Sequence, residues 1–160
     1  MKNEHIDISN AREDEQIEVM TKILSEGHCP FCKEQLDLYH KKPILKETKN
    51  WVLTENQWPY KKTKKHLLVI LKNHSSNLND IPEGAFEEIG ELFKWAEKEF
   101  KMIGGAWSFG SAIASRFGNP EFSGATVSHI HAQIIFPDVE ALEENESVLF
   151  YIGKPQKKTK

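Results

Sequence analysis

The sequence predicts an α+β fold in which a mainly antiparallel sheet of about five strands carries one long helix and an N-terminal helix. Most of its candidate strands follow one another without a full crossover helix between them, which favours antiparallel pairing. A length of 160 residues with 39% hydrophobic side chains is enough for a real core. We therefore expect a single domain over residues 1–160, with loose tails at 1–10 and 155–160.

Two helices are predicted from apolar residues at helical spacing. The first covers residues 11–25 and ends at Gly27, a natural stop. The second is the strongest and covers residues 83–103, with Asp80 as its cap and Pro82 in its first turn. Its apolar stripe consists of Phe86, Ile89, Phe93, Ala96, Phe100 and Ile103.

Strands are predicted where β-branched and aliphatic runs are bounded by turn residues. These runs cover residues 51–54, 66–71, 107–116, 128–135 and 147–153. The run at 66–71 is continuously apolar after its histidine, as is typical of a strand that is covered on both faces.

Charge and hydropathy exclude several classes of function. The net charge of −3 argues against a general nucleic-acid binder, and two lysine clusters, at 61–65 and 154–160, are more typical of a solvated loop and a tail. No apolar run reaches the ~18 residues that span a bilayer, and the first residues lack a signal-peptide core. We expect a cytoplasmic protein that binds no membrane.

The two cysteines form a C-x-x-C motif, Cys29 and Cys32, ahead of a short helix predicted around residues 34–40. In a reducing compartment such a pair binds metal or performs redox chemistry. A redox pair would open a helix directly after a strand, whereas this one follows a helix and a glycine, which favours zinc. The other two ligands are then histidines, to be chosen from His5, His28, His40, His66, His74, His129 and His131.

The strand at 128–135 carries an H-x-H-x-Q motif: His129, His131 and Gln133. Alternate side chains share a face, at spacings of ~6.6 Å, while the residues between them enter a core. A neutral imidazole can attack phosphorus and form a covalent phosphoramidate, and His131 lies in the middle of the row. Gln133 can donate an N–H to phosphate but cannot deliver a proton to a leaving group.

The motifs C-P-F-C, H-L-L-V-I-L-K-N-H and G-A-T-V-S-H-I-H-A-Q-I-I, with a helix before the last, together resemble the histidine triad (HIT) superfamily over residues 20–153. The resemblance implies a HIT-like fold, nucleoside phosphate substrates and a nucleotidyl-histidine intermediate on His131. Glutamine at the third position, here Gln133, resembles galactose-1-phosphate uridylyltransferase and the diadenosine polyphosphate phosphorylases.

The uridylyltransferase branch implies a structural zinc ion held by Cys29, Cys32, His74 and His129. Zinc on the first histidine of the row would hold His131 at a fixed angle. HIT proteins are often homodimers, so the resemblance also implies a homodimer.

Further site residues follow from the resemblance. Asn56 lies in an N-x-x-P segment that implies a position beside the nucleoside. His66 matches a histidine beside the catalytic row, although a satisfied histidine at a strand start is an equal interpretation.

Gly124 and Thr126 match the small residue and the hydroxyl residue that line the phosphate pocket, and the loop from Gly118 to Gly124 offers backbone N–H groups to an anion. The family's usual amide residue is replaced by Gly118. Either Asn119 stands in for it, or Arg116 reaches the phosphates with bidentate donors.

Three alternatives stay open beside transfer or phosphorolysis. The same site could hydrolyse nucleotide phosphoramidates or dinucleoside polyphosphates. The protein could bind nucleotides with little or no turnover, or act on nucleic-acid ends through its lysine clusters.

Overall fold

The structure, a computed structural model, describes residues 5–101 and 110–153. Its centre is one sheet of five strands in the order β1-β2-β3-β5-β4, in which all four pairings are antiparallel. The strands are β1 (Ile44–Glu47), β2 (Trp51–Glu55), β3 (Thr63–Leu71), β4 (Ala112–Arg116) and β5 (His131–Pro137). The predicted α+β fold with an antiparallel sheet is confirmed.

Four α-helices accompany the sheet in the described part of the chain: α1 (Asp14–Glu26), α2 (Lys33–Tyr39), α3 (Ala85–Phe100) and α4 (Pro120–Ser123). Short 3₁₀ turns lie at Ile8–Asn10, Leu78–Asp80 and Val139–Ala141. The long helix α3 and the N-terminal helix α1 correspond to the two helices that apolar periodicity predicts.

Helix α3 covers one face of the sheet. Its inward residues are small or aliphatic, with Ala85, Leu92 and Ala96 fully buried, so the helix approaches the strands closely. The core between them consists of Trp51, Leu53, Leu67, Val69, Leu71, Ala85, Leu92, Ala96, Ile130, Ala132, Ile134 and Phe136. Alternate residues of β3 and β5 contribute to this core layer, because alternate side chains of a strand point to the same face.

The register of β3, β5 and β4 places polar residues together on the other face. Leu68 pairs with Gln133, and Ile70 pairs with His131; Arg116 on β4 also pairs with His131. Residues directly opposite each other share a face in an antiparallel pair. His131, Gln133 and Arg116 therefore lie on the side of the sheet that α3 does not cover, while His129 precedes β5.

The start of α3 differs from the prediction. Asp80 does not cap it, because its carboxylate accepts a hydrogen bond from the Ser75 hydroxyl at 2.7 Å and the helix begins after Gly84, whose φ is 80°. Phe86, placed in the apolar stripe, is 61% exposed. Ile103 lies outside the described residues.

The predicted strand at 147–153 is wrong: this segment forms no strand in the described structure. This segment contacts Arg116 instead. The Tyr151 carbonyl accepts from Arg116 Nη1 at 2.9 Å, and the centroid of the Phe150 ring lies 3.9 Å from the guanidinium carbon. Of the predicted strand at 107–116, residues 107–109 lie outside the described residues. The sequence also missed β1, which is only four residues long and mostly exposed.

The N-terminal segment was expected to be loose, but residues 5–10 pack against the domain. Ile6 is buried and forms an isolated antiparallel bridge with Val127. Asn10 donates to the Ala125 carbonyl at 2.8 Å. The segment is thereby held beside the chain that leads into β5.

Candidate active site and metal cluster

Four side chains from three separate parts of the chain converge on one point. The ligand atoms of Cys29, Cys32, His74 and His129 all lie within 4.8 Å of one another. Cys29 Sγ is 3.3 Å from His129 Nδ1, Cys32 Sγ is 3.5 Å from His74 Nδ1, and the two Nδ1 atoms are 3.2 Å apart. Zinc bonds of about 2.0–2.3 Å in a tetrahedron separate the ligand atoms by about 3.3–3.8 Å. The donor set and its spacing therefore fit a zinc ion.

The local structure prepares these ligands. The C-x-x-C loop connects α1 to α2, His74 follows β3, and His129 precedes β5. His129 donates its Nε2–H to the Leu71 carbonyl at 2.6 Å, which leaves the lone pair of Nδ1 toward the cluster. Burial raises the pKa of the Cys29 thiol to about 12, so a cation that binds there displaces a proton.

His131 is held in one tautomer. Its Nδ1–H donates to the backbone carbonyl of His129 at 2.7 Å, which leaves a lone pair on Nε2. The side chain is only 5% exposed, and burial is the main reason why the pKa of His131 falls to about 4. At neutral pH this imidazole is therefore uncharged and able to act as a nucleophile.

A second chain of hydrogen bonds fixes the amide of Gln133. The backbone N–H of Tyr60 donates to His66 Nδ1 at 3.1 Å, so His66 carries its proton on Nε2. That Nε2–H donates to Gln133 Oε1 at 2.8 Å. The amide oxygen is thus satisfied by His66, and the NH₂ group of Gln133 is left for another acceptor.

A cleft of about 760 Å³ opens beside this row. His131 and Gln133 form part of its wall, and one side is apolar, with Met20, Phe31 and Leu68. Phe31, between the two cysteines, packs edge-on against His131 with ring centroids 5.1 Å apart. The metal cluster and the nucleophile candidate are thus joined by one aromatic ring.

The predicted binding residues divide into two groups. Asn56, Arg116, Gly124 and Thr126 line the cleft together with His131 and Gln133. Two others do not line it. His66 is 2% exposed and lies behind Gln133, while Asn119 caps α4 by accepting from the Glu121 N–H at 2.9 Å.

The loop from Gly118 to Gly124 does not present the expected cradle of N–H groups. Residues 120–123 form α4, and the backbone N–H groups of Phe122, Ser123 and Gly124 donate to carbonyls within this helical turn. Gly124 has another role: with φ at +69°, a Cβ there would lie 2.6 Å from the Tyr151 oxygen and 2.9 Å from Arg116 Nη1. Glycine lets this turn approach Arg116.

Sequence reasoning missed the basic and aromatic side of the cleft. Tyr60 and Arg12 both line it. The guanidinium carbon of Arg12 lies 4.1 Å from the centroid of the Tyr60 ring, and its Nη2 donates to the Trp58 carbonyl at 2.8 Å. No motif contains Arg12, and its position depends on how the N-terminal segment packs; only the proximity of Tyr60 to the N-x-x-P segment was a signal.

The first lysine cluster is largely neutralised. Lys62 pairs with Glu146, Lys64 with Glu140 at 3.2 Å, and Lys65 with Glu55 at 2.6 Å. The second cluster, 154–160, lies outside the described residues. Among the described residues, no helix is both long and apolar enough to cross a membrane.

Solved structures of histidine triad proteins resemble this chain. A histidine triad nucleotide-binding protein from Candida albicans is 23% identical, with 83% of this chain and 87% of that chain covered, at a TM-score of 0.58. A HIT family hydrolase from Clostridium thermocellum is 24% identical, covering 74% and 97%, at 0.51. A zinc-bound histidine triad family protein from Mycobacterium smegmatis is 21% identical, covering 78% and 83%, at 0.50.

The comparison with curated proteins gives no match. The sequence does match, over residues 14–151, the family described as "Domain of unknown function (DUF4931) N-terminal domain". The similarity to solved structures confirms the histidine triad fold that the motifs indicate. The chain is a member of the DUF4931 N-terminal domain family and has the histidine triad fold.

Proposed function

We propose that the protein is an enzyme that transfers a nucleotidyl group from a nucleoside phosphate through a covalent intermediate on His131. One observation carries this proposal: His131 is neutral, with Nδ1–H bonded to the His129 carbonyl at 2.7 Å and Nε2 left as a nucleophile in the wall of a cleft. Such an arrangement matches the needs of nucleophilic catalysis at phosphorus.

The reaction then has two displacements. In the first, the Nε2 lone pair attacks the phosphorus next to the nucleoside, a P–N bond forms, and the P–O bond to the leaving group breaks with its electron pair. In the second, an acceptor oxygen attacks the same phosphorus and the P–N bond breaks. The NH₂ group of Gln133 and the guanidinium of Arg116 would hold phosphate oxygens, since both residues line the cleft.

Gln133 favours transfer or phosphorolysis. Its amide cannot protonate a leaving group at neutral pH, so the site suits leaving groups that are stable as anions, such as phosphates. Hydrolysis by the same intermediate is the second candidate. The similarity to the HIT family hydrolase from Clostridium thermocellum supports that candidate at the level of fold.

Zinc is the metal that we assign to the Cys29, Cys32, His74 and His129 cluster, because two thiolates and two imidazoles at tetrahedral spacing suit it. The ion would be structural, with all four positions filled by protein ligands. It would hold the C-x-x-C loop, and with it Phe31, against the catalytic row.

A homodimer is also part of the proposal. Strand β4 forms one edge of the sheet, and Ile113 on it is 50% exposed, so the edge can pair with a second copy. Light scattering at micromolar concentration tests this: a mass of one chain would contradict the dimer and leave the chemistry untouched.

Replacing Gln133 with His tests the roles of the row. We expect the variant to gain turnover of adenosine 5′-phosphoramidate, a substrate with a poor leaving group, by about 100-fold relative to diadenosine triphosphate, because an imidazole can donate a proton. Products are compared with and without inorganic phosphate, and Gln133→Asn is the matched control that keeps an amide. A wild-type enzyme whose only acceptor is water would exclude transfer. Tight nucleotide binding without any bond cleavage would favour the alternative that the protein binds nucleotides with little or no turnover.

A further inference from the structure

Two guanidinium groups meet around one aromatic ring in the cleft. Arg12 lies over the face of Tyr60, with its guanidinium carbon 4.1 Å from the ring centroid. Arg116 reaches the other end of the same side chain, because its Nη2 donates to the Tyr60 hydroxyl at 3.1 Å. Tyr60 itself is only 8% exposed, so its ring fixes the separation of the two cations.

The protein supplies fewer acceptors than these groups have N–H donors. Each guanidinium carries five N–H groups. In the described structure, Arg116 donates to the Ser123 and Tyr151 carbonyls and the Tyr60 hydroxyl, and Arg12 donates to the Trp58 carbonyl. Donors are thus left over on both side chains at the wall of the cleft.

The cleft also contains carboxylates, but they form no ion pair with either arginine. Within the described residues, no arginine forms an ion pair shorter than 4.0 Å, whereas several lysines do. The Asp7 carboxylate accepts from the Ser9 N–H at 3.0 Å, and Glu121 also lines the cleft. Arg116 repels Arg12, and Glu13 attracts Arg12 without forming an ion pair with it. The repulsion between the two cations is therefore offset only in part within the protein, and a bound anion would offset it further.

We propose that Arg12 and Arg116, separated by Tyr60, form a second anion subsite that binds the phosphate beyond the one attacked by His131. This inference rests on the proposed function and extends it, because it makes Arg12 a determinant of specificity. Substrates with two linked phosphates on the nucleoside are then preferred over nucleoside monophosphate conjugates.

The proposal agrees with the chemistry of Gln133. A site that cannot protonate its leaving group needs another way to stabilise the charge that develops there. Guanidinium groups on the leaving side do this for a phosphate, through paired N–H bonds to its oxygens. In the second displacement, the same subsite would receive the phosphate group of an acceptor.

Arg12 is independent of the motifs on which the family match depends. It precedes the matched residues 14–151. Its place in the cleft comes from the packed N-terminal segment, where the Asp7 N–H donates to the Thr126 carbonyl at 2.9 Å. The subsite is therefore a property that this segment adds to the fold.

Calorimetry with non-cleavable analogues tests the subsite directly. We would titrate AMP, α,β-methylene-ADP, UMP and α,β-methylene-UDP into the wild type, Arg12→Gln, Arg12→Lys and Lys61→Gln. Lys61 is an exposed residue that does not line the cleft, so its variant controls for net charge.

For one of the two bases at least, the diphosphate analogue should bind the wild type about tenfold or more tightly than the monophosphate. Arg12→Gln should weaken the diphosphate by about 10- to 100-fold and the monophosphate by less than threefold. Arg12→Lys should give an intermediate loss, since it keeps the charge but not the planar fork. Lys61→Gln should bind both as the wild type does.

Equal losses for monophosphate and diphosphate in Arg12→Gln, or no loss at all, would overturn the subsite, as would the absence of binding by every analogue. The proposed function fails on a different result. If His131 forms no covalent adduct while Arg12 still governs the diphosphate preference, the subsite stands and the catalytic proposal falls.

Discussion

At the scale of the residue, proton positions follow from backbone groups. A carbonyl can only accept, so the bond from His131 Nδ1 to the His129 carbonyl assigns the proton to Nδ1. A backbone N–H can only donate, so the bond from Tyr60 makes His66 Nδ1 an acceptor. The orientation of Gln133 follows from the second assignment. His66 does not line the cleft itself and acts on it through Gln133, so we regard it as a positioning residue.

Strand alternation was enough to predict which residues share the catalytic face. The core assignments of Ile130, Ala132 and Ile134 agree with the structure. The tautomer of His66 and the amide orientation of Gln133 were beyond the sequence, because they depend on β3 and on the Tyr60 turn, which lie far from the motif along the chain.

The buried state of His131 predicts a specific pH dependence of stability. Its pKa is about 4 in the folded protein and about 6.5 when unfolded, so the unfolded chain binds more protons between these values. Stability therefore rises with pH through this window and is lost as pH falls from about 6.5 toward 4. His131→Gln should reduce the difference in unfolding free energy between pH 5 and 7.5 by about 2 kcal/mol.

Urea unfolding at the two pH values measures this effect. His28→Gln, which replaces an exposed histidine, is the control and should keep the wild-type difference. An unchanged pH dependence in His131→Gln would mean that His131 is not held neutral by burial.

At the scale of the element, the sequence predicted the strands with apolar runs and failed where polar contacts replace sheet pairing. Residues 66–71 lie within β3 as expected. The segment at 147–153 has a strand-like composition, but its carbonyl at Tyr151 serves Arg116. Asp80 illustrates the same limit, since a local capping signal was overridden by the Ser75 hydroxyl.

The turn after α4 allows a test with a matched pair of glycines. Gly124 and Gly118 have similar φ values, +69° and +73°, but only a Cβ at Gly124 would meet other atoms within 4 Å. Each alanine substitution costs about 1 kcal/mol for the left-handed backbone. Gly124→Ala should cost about 1–3 kcal/mol more, because overpacking forces its neighbours to move.

Chemical denaturation of the two variants gives the comparison. Since the displaced neighbour is Arg116, Gly124→Ala should also weaken nucleotide binding, whereas Gly118→Ala should not. Equal losses of unfolding free energy in both variants would show that the close contacts of a Cβ at Gly124 do not affect stability.

At the scale of the whole molecule, the metal cluster connects the loop between α1 and α2, which lies outside the sheet, to the paired strands β3 and β5. Its ligands come from the loop between α1 and α2, from the end of β3 and from the start of β5. Removing zinc with a chelator should lower the melting temperature by about 10 °C. It should also slow chemistry at His131, because Phe31 loses its anchored loop.

Metal analysis and thermal melts check this expectation. Cys32→Ser should bind far less zinc and should not respond to the chelator, while His28→Ala, beside the cluster but outside the four ligands, should behave as the wild type. A chelator-insensitive wild type without zinc would contradict the metal assignment.

The N-terminal segment shows why the cleft could be predicted only in part. Three residues that the sequence predicts for the site do line the cleft, namely His131 and Gln133 of the motif and Thr126 before it. The place of Arg12 in the cleft becomes apparent only in the folded protein, in which Ile6 pairs with Val127. Contacts across more than a hundred residues of chain have no signature in local sequence.

The central claim is that His131 forms a covalent bond to phosphorus, and intact-protein mass spectrometry tests it most directly. The protein is mixed briefly with a diadenosine polyphosphate, whose phosphate leaving group suits a site with Gln133, with His131→Ala and His28→Ala alongside. We predict an added adenylyl group in the wild type and in His28→Ala, and none in His131→Ala. An adduct that persists in His131→Ala, or a wild type that gives neither adduct nor product with adenine and uridine substrates, would contradict the claim.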